Sequence, residues 1–283
     1  MELFNFSAGE SKRINRALTF ISQQEVDLGT FTERTLVVKT ESFEDACDEI
    51  ARTFPELGLE SIGARLVFNT AKDGSHKILV NKDAISGLSY IHTLVGEVVH
   101  LGNLSRFTSD HGNIYRLEPE QAIAQYFYEF LLWTKFQAMK IASRAHALMA
   151  WHELNGEEPP PAGRYQFAQV AIPGEGVRAA LMVAEQAENR AAWRDGLWGF
   201  LAELTLYFGR LAFYQQDPRP LDLDEHFPAD RIESLIGMDN CLAFYGALLR
   251  ARNYPDWLAE KQAIRQAVVA MQEQGGRRFT PVT

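Results

Sequence analysis

A stripe of apolar residues between positions 85 and 99 predicts a buried helix in the first half of the chain. Five aliphatic residues recur there at intervals of three and four: Ile85, Leu88, Ile91, Val95 and Val99. This spacing places side chains on one face of an α-helix. Two aliphatic runs, at 63–69 and 76–81, precede the stripe and are separated by a turn-like Ala-Lys-Asp-Gly. The sequence therefore predicts a β-hairpin that leads directly into a buried helix.

The rest of the chain predicts an α+β fold with a predominantly helical C-terminal half. A β-rich run at 34–40 and a helix signal at 42–54 precede the hairpin, and one more strand is expected at 165–172. Helical periodicity covers 119–152, 177–215 with a break near Gly196 or Gly199, 229–251, and 254–274. We expect an α+β domain at 1–156 and a helical region at 163–283, either packed on it or continuous with it, with the proline run 159–161 between them.

Composition and charge narrow the classes of function. The net charge of −9 argues against nucleic acid or an anionic membrane as a partner, because both are bound by clustered Lys and Arg. The apolar stretch 196–214 contains Glu203 and Arg210, so we interpret it as a buried helix and not as a membrane span. Two cysteines and the absence of a signal-like start predict a cytoplasmic protein.

A second stripe on the helix that begins near residue 85 carries the candidate chemistry. His92, Gly96 and His100 follow one another at intervals of four beside the apolar face, and Glu97 lies next to Gly96. Glu97 and His100 have the spacing of the second half of the zinc-protease motif His-Glu-x-x-His. In that motif two histidines four residues apart bind one metal ion, and the glutamate activates the metal-bound water. In this chain glycine occupies the place of the first histidine.

This region resembles the zincin metallopeptidases, especially bacterial and phage-like members. The resemblance covers residues 60–145: a strand ending at Asn81-Lys82-Asp83, the helix YIHTLVGEVVHLGN, and the segment WTKFQAMKIASR at 133–144. It implies a zincin-like core with Glu97 as general base. The third metal ligand in this family would be a glutamate at the place of Lys135. The ancestral site would therefore comprise Gly96, His100 and Lys135.

Two of the three implied ligands are replaced by residues that do not coordinate zinc in the usual way. Glycine has no side chain, and lysine is an ammonium at pH 7. We therefore expect no metal cofactor, a vestigial Glu97 that pairs with Lys135, and a pseudoenzyme that binds a protein or peptide. The groove for an extended peptide is expected beside an edge strand at 76–81, at Ile78 and Val80. The oligomeric state is open.

Two alternatives remain. In an active zinc metallopeptidase, Glu97 is the general base and His100 holds zinc together with Asp110 and His111, from a loop at 103–116, or with Glu118 or Glu120. In the second alternative, the protein is a helical interaction or regulatory protein unrelated to the zincins. His92 lies about 12 Å along the helix from His100, too far to share its metal ion, and His146 and His152 are expected to be ordinary surface or cap residues.

Overall fold

The computed structural model describes residues 1–24, 34–45, 63–69, 75–85, 87–156, 174–215 and 227–279, without the side chains of residues 115, 214 and 215. The chain divides into two compact units. Unit 1 comprises residues 1–118 and 141–167, and unit 2 comprises 119–140 and 168–283. The expected domain limits of 1–156 and 163–283 stay a prediction.

Unit 1 contains a mixed four-stranded sheet. Its strands are β1 (Glu2–Phe4), β2 (Thr35–Thr40), β3 (Ala64–Val67) and β4 (His76–Asn81), and their order across the sheet is β1-β2-β4-β3. The first two pairs are parallel, whereas β3 runs antiparallel to β4. The antiparallel pairing of 63–69 with 76–81 is confirmed, and so is the strand at 34–40. The turn between the two hairpin strands lies outside the described residues.

The expected edge position of β4 is wrong, because β4 lies inside the sheet. Its residues pair with β2 on one side and with β3 on the other. A parallel partner from further back in the chain was not predicted, since the alternation of apolar residues specifies a strand but not its neighbours. The edges of the described sheet are β1 and β3.

Helices accompany the sheet in the described part of unit 1. They are α1 (Ala8–Gln24), α2 (Ser89–His111) and the part of α4 (Phe127–Asn155) that follows Ile141. The predicted stripe is buried where it lies on α2, with Ile91 and Val95 fully enclosed and Val99 nearly so, whereas Ile85 and Leu88 precede the helix and are half-buried. The loop expected at 103–116 is wrong up to residue 111, because α2 continues to His111. Helix α1 and strand β1 were not predicted.

Unit 2 is helical in its described part. It contains α3 (Pro119–Ala124), the first part of α4, α5 (Glu175–Glu185), α6 (Arg190–Gln215), α7 (Ala229–Ile236), α8 (Met238–Arg250) and α9 (Tyr254–Gly276). The helix expected at 119–152 is interrupted at Tyr126, and the one at 177–215 is interrupted at 186–189 and not at Gly196 or Gly199. Gly237, with φ of 78°, separates α7 from α8.

The core of unit 2 contains many large aromatic side chains, as their helical spacing predicts. The largest fully buried ones are Trp133, Trp193, Trp257, Phe130, Phe136, Phe200, Phe208, Phe244 and Tyr245. The Trp133 indole and the Gln137 amide both donate to the Ala251 carbonyl at 2.6 Å, so the end of α8 is tied to α4. These bonds satisfy polar groups that would otherwise be costly to bury.

Taken singly, none of the helices in the described ranges has both the length and the apolar composition that a membrane crossing needs; α7 and α8 meet that test only as a pair, bent by 100°. Three predictions lie wholly or partly outside the described residues: the strand at 165–172, the proline run, and the helix at 42–54 from residue 46 onward. The fold class is α+β, mostly helical with a small mixed sheet.

Candidate functional site

Helix α2 lies directly against β3, and this contact positions Glu97. At the start of the strand, a Cβ atom built on Gly63 would lie 2.5 Å from the Thr93 hydroxyl of α2, so only glycine permits this approach. One helical turn further along α2, the Glu97 carboxylate accepts a hydrogen bond from the Leu66 backbone N–H at 2.9 Å. Two contacts therefore hold the helix along the outer strand.

The Leu66 N–H, which donates to Glu97, points away from the sheet. Asn81 donates its N–H to the Gly63 carbonyl at 2.9 Å, which makes Gly63 and Asn81 a hydrogen-bonded pair of the antiparallel ladder. Hydrogen-bonded and non-hydrogen-bonded pairs alternate along such a ladder, so the pair of Leu66 and Ile78 is of the second kind. The Leu66 N–H faces the outer side of β3, and Glu97 supplies the acceptor that a further strand would otherwise provide.

Burial determines the protonation of Glu97. The residue is 4% exposed, and desolvation raises the pKa of its carboxyl to about 7. The hydrogen bond from Leu66 and the positive charge of Arg65 oppose this rise but do not cancel it. Near neutral pH, Glu97 therefore exists as a mixture of carboxylate and carboxylic acid.

Gly96 and His100 occupy consecutive turns of α2. No atom of the described residues lies within 4 Å of a Cβ built on Gly96, so close packing against them does not account for the glycine. His100 is 6% exposed. Of the three ligand positions that the zincin resemblance implies, His100 is the one with a side chain suited to zinc.

Lys135 lies on the part of α4 that belongs to unit 2 and is half-buried. The interactions that the structure gives Glu97 are with residues of unit 1, namely Leu66 and Arg65. The pairing of Lys135 with Glu97 stays a prediction.

Asp110 and His111 do not lie in a loop near His100, which corrects the ligand set of the active-enzyme alternative. Both are on α2, ten and eleven residues after His100, which corresponds to about 15 Å along a helix axis. Asp110 is exposed, and the His111 ring stacks on Phe107 with its Nδ1 3.2 Å from the Phe107 carbonyl oxygen. One metal ion cannot be held by these two residues together with His100.

A polar cluster missed in the sequence joins α2 to the end of α4. His92 Nε2 lies 3.3 Å from the Ser143 hydroxyl, and the His92 and His146 rings meet edge to face with centroids 6.4 Å apart. Burial lowers the pKa of His146, which favours its neutral form. His146 was expected at the surface and is instead half-buried. Ser143 and His146, three residues apart and therefore neighbours on one face of α4, are the signal that could have indicated the cluster.

The expected peptide groove at Ile78 and Val80 is wrong. Both side chains are fully buried, and their strand is paired on both sides. Leu66, which the sequence did not single out, is the residue of the hairpin that meets Glu97. Its role depends on strand register, which the hydrophobic pattern of a short hairpin does not specify.

The donor set does not fit a zinc centre. Within the parts of the chain that the structure describes, no three His, Cys, Asp or Glu side chains are grouped so that they could hold a metal ion. A catalytic zinc site uses three protein ligands and leaves the fourth position for water. Gly96 contributes no ligand, and Lys135 would have to lose its proton in competition with the metal.

Comparisons of this chain with protein-family models, with curated proteins and with solved structures find no significant match. The resemblance to the zincins therefore depends on the residues of α2, of the hairpin before it and of α4.

Proposed function

We propose that this protein is a degenerate zincin-like metallopeptidase that acts by binding a protein or peptide and does not hydrolyse it. The observation that carries the proposal is the position of Glu97, whose buried carboxylate accepts the outward N–H of Leu66. A general base of a zinc peptidase must instead reach a metal-bound water. In this chain the carboxylate holds the outer strand against the helix.

The arrangement of helix and strand supports a zincin-like ancestry over an unrelated helical protein. A zincin has a strand beside the helix that carries the metal ligands, and β3 lies along α2 through the contacts of Gly63 with Thr93 and of Leu66 with Glu97. Gly96 also fits a lost ligand, because no residue in the described part of the chain fills the space beyond its Cα. Glycine inside a helix costs about 1 kcal/mol relative to alanine, and packing does not explain it here.

Peptide addition to the sheet is limited by the strand order. Strand β4 is interior, and the outward N–H of Leu66 on β3 is already bonded to Glu97. Among the described strands this leaves β1, which pairs with β2 and carries Phe4, 44% exposed. An extended peptide would add beside β1, with Phe4 as its apolar contact.

Zinc binding by the wild-type chain and by a restored variant tests the proposal. Gly96→His together with Lys135→Glu returns the two missing ligands, and we expect this variant to bind about one zinc per chain while the wild type binds none specifically. The measurement is metal content after dialysis against micromolar zinc, with circular dichroism to verify folding. His100→Ala in the restored background is the matched control and should abolish the gained zinc.

The outcomes separate the alternatives. One zinc per wild-type chain, lost in His100→Ala and accompanied by cleavage of a fluorogenic peptide library, would establish an active metallopeptidase. A restored variant that folds but gains no zinc would contradict zincin ancestry. Either result would overturn the proposal.

A further inference from the structure

Tyr126 of unit 2 adopts a backbone conformation that bulky residues rarely take. It lies between α3 and α4 with φ of 61°, in the left-handed region. An L-residue there costs about 1 to 3 kcal/mol and persists only where surrounding contacts hold it. Its backbone is bonded to Ile123 and Phe130, and its ring meets side chains of α9.

Two cations of α9 lie over the Tyr126 ring. The Arg265 guanidinium carbon is 3.5 Å from the ring centroid, and the Lys261 ammonium is 5.0 Å from it. Arg265 is also paired with the buried Glu129 through hydrogen bonds of 2.7 and 2.9 Å and donates to the Ile123 carbonyl. Its charge is therefore compensated within the protein.

Lys261 has no such compensation. Its interactions in the described residues are with the rings of Tyr126 and Trp257, the latter at 5.6 Å, and no described carboxylate lies within ion-pair distance. A cation over aromatic faces is partly desolvated, which strengthens its attraction for an anion from outside. Lys261, which lies over the rings of Tyr126 and Trp257, thus presents one uncompensated positive charge.

Exposed apolar side chains lie on the same face of α9 as this charge. Leu258 is 37% exposed and Val269 42% exposed, and with Lys261 and Arg265 they fall within an arc of about 80° on α9. Ile123, 54% exposed, is attached to the same face through the bond from Arg265 to its carbonyl. Clustered exposed apolar residues around a polar centre are typical of a protein interaction site.

We infer that this surface, formed by Ile123, Tyr126, Leu258, Lys261 and Val269 and here called the Tyr126 face, binds an acidic peptide segment of a partner protein. A Glu or Asp of the segment pairs with Lys261, and aliphatic side chains cover Ile123, Leu258 and Val269. Charge complementarity favours a peptide over nucleic acid, because one lysine on a chain of net charge −9 cannot neutralise a run of phosphates. The inference concerns unit 2 alone and holds whether or not unit 1 derives from a peptidase.

Selection from a random peptide library on the full chain tests this inference. Phage displaying random 16-residue peptides are selected on the immobilised wild-type protein, and the enriched peptides are measured by fluorescence anisotropy. We expect enriched sequences that combine Glu or Asp with Leu, Ile or Val. Their affinity should fall about tenfold in Lys261→Glu, less in Lys261→Gln, and by a similar factor in the double variant Leu258→Ser/Val269→Ser.

Lys77→Glu is the matched control, because it makes the same charge change at an exposed lysine of β4, and it should leave the affinity unchanged. Unfolding midpoints verify that each variant is folded. The inference is overturned if no peptide is enriched, if enriched peptides are neutral or basic, or if they bind Lys261→Glu as well as the wild type. It is also overturned if sedimentation shows a dimer that Lys261→Glu dissociates, since a second copy would then occupy the face.

Discussion

The Glu97 carboxylate and the Leu66 backbone N–H, 2.9 Å apart, connect a helix to the outward side of the strand that borders the sheet. Strands at a sheet border leave N–H groups unpaired, and proteins cover or block such borders to prevent association with other chains. Glu97 covers this one with a buried carboxyl. This carboxyl thus holds the outer strand against the helix, at the cost of burying a titratable side chain.

The stability of the protein should depend on pH through Glu97. Its pKa is raised from 4.5 to about 7 in the folded state, so between these values the folded state holds more protons than the unfolded state. The stabilisation by the protonated group is therefore lost as pH rises from 4.5 through 7. Glu97→Gln resembles the protonated form. The free energy of unfolding of this variant, relative to that of the wild type, should therefore rise by about 3 kcal/mol from pH 4 to pH 8.

Urea unfolding of both proteins across this pH range measures the effect. The difference between the two isolates Glu97, because His146, with its lowered pKa, contributes an opposite slope that both proteins share. If the free energies of unfolding of wild type and variant differ by the same amount from pH 4 to pH 8, the carboxyl titrates normally and is not buried as described.

Gly63 should be intolerant of any side chain. A Cβ there would lie 2.5 Å from the Thr93 Oγ1 and 3.3 Å from the Thr93 Cβ, so Gly63→Ala forces α2 and β3 apart. Such overpacking costs about 1 to 3 kcal/mol. Denaturant unfolding of Gly63→Ala measures the loss.

Thr93→Ala provides the matched rescue, because it removes the atom that the new methyl group meets first. The double variant Gly63→Ala/Thr93→Ala should be less destabilised than the sum of the two single variants, and the difference is their coupling free energy. Additive losses would indicate that the two residues do not meet.

The sequence predicted those parts of the fold that local patterns specify. The stripe from Ile85 to Val99 marked α2, and turn residues marked the pairing of β3 with β4. Helix α1 was missed although Ser7 and Glu10 form a reciprocal capping box, in which each side chain accepts from the backbone N–H of the other. The capping residues that indicate this helix are present in the sequence.

Strand order and register account for the errors at the candidate site. Parallel pairing of β2 with β4 joins segments some forty residues apart, and nothing in either strand indicates its neighbour. The placement of Ile78 at an accessible edge failed for this reason. The contact of Glu97 with Leu66 was equally hidden, because shifting β3 by one residue would turn a different N–H outward.

The ion pair of Arg265 with Glu129 should contribute strongly to the stability of unit 2. Glu129 is buried, and Arg265 meets it with two hydrogen bonds. Arg265→Met leaves the carboxylate buried without its partner and should lower the free energy of unfolding by about 2 to 3 kcal/mol. The loss is smaller than for a fully buried pair, because Arg265 is partly exposed. Arg265→Lys should restore only part of this, since an ammonium does not form the paired geometry.

Glu129→Gln completes a double-mutant cycle with Arg265→Met. Because the neutral amide no longer requires a cation, the double variant should be more stable than the sum of the single losses predicts. Thermal unfolding followed by tryptophan fluorescence reports on this region, since Trp133 and Trp257 lie in the same core. A coupling free energy near zero would mean that the pair is no stronger than an ordinary surface ion pair.

Gly96→Ala should stabilise the protein, in contrast to Gly63→Ala. Gly96 lies inside α2, and a methyl group at this position would meet no atom within 4 Å among the residues that the structure describes. Alanine at an unobstructed helix position gains about 0.5 to 1 kcal/mol over glycine, because it restricts the unfolded chain without straining the folded one. Urea unfolding of Gly96→Ala and Gly63→Ala side by side tests the opposite signs. A stabilised Gly96→Ala would show that neither packing nor backbone conformation maintains the glycine, as expected where a former ligand has been lost; a destabilised one would mean that another group occupies the space beside the helix.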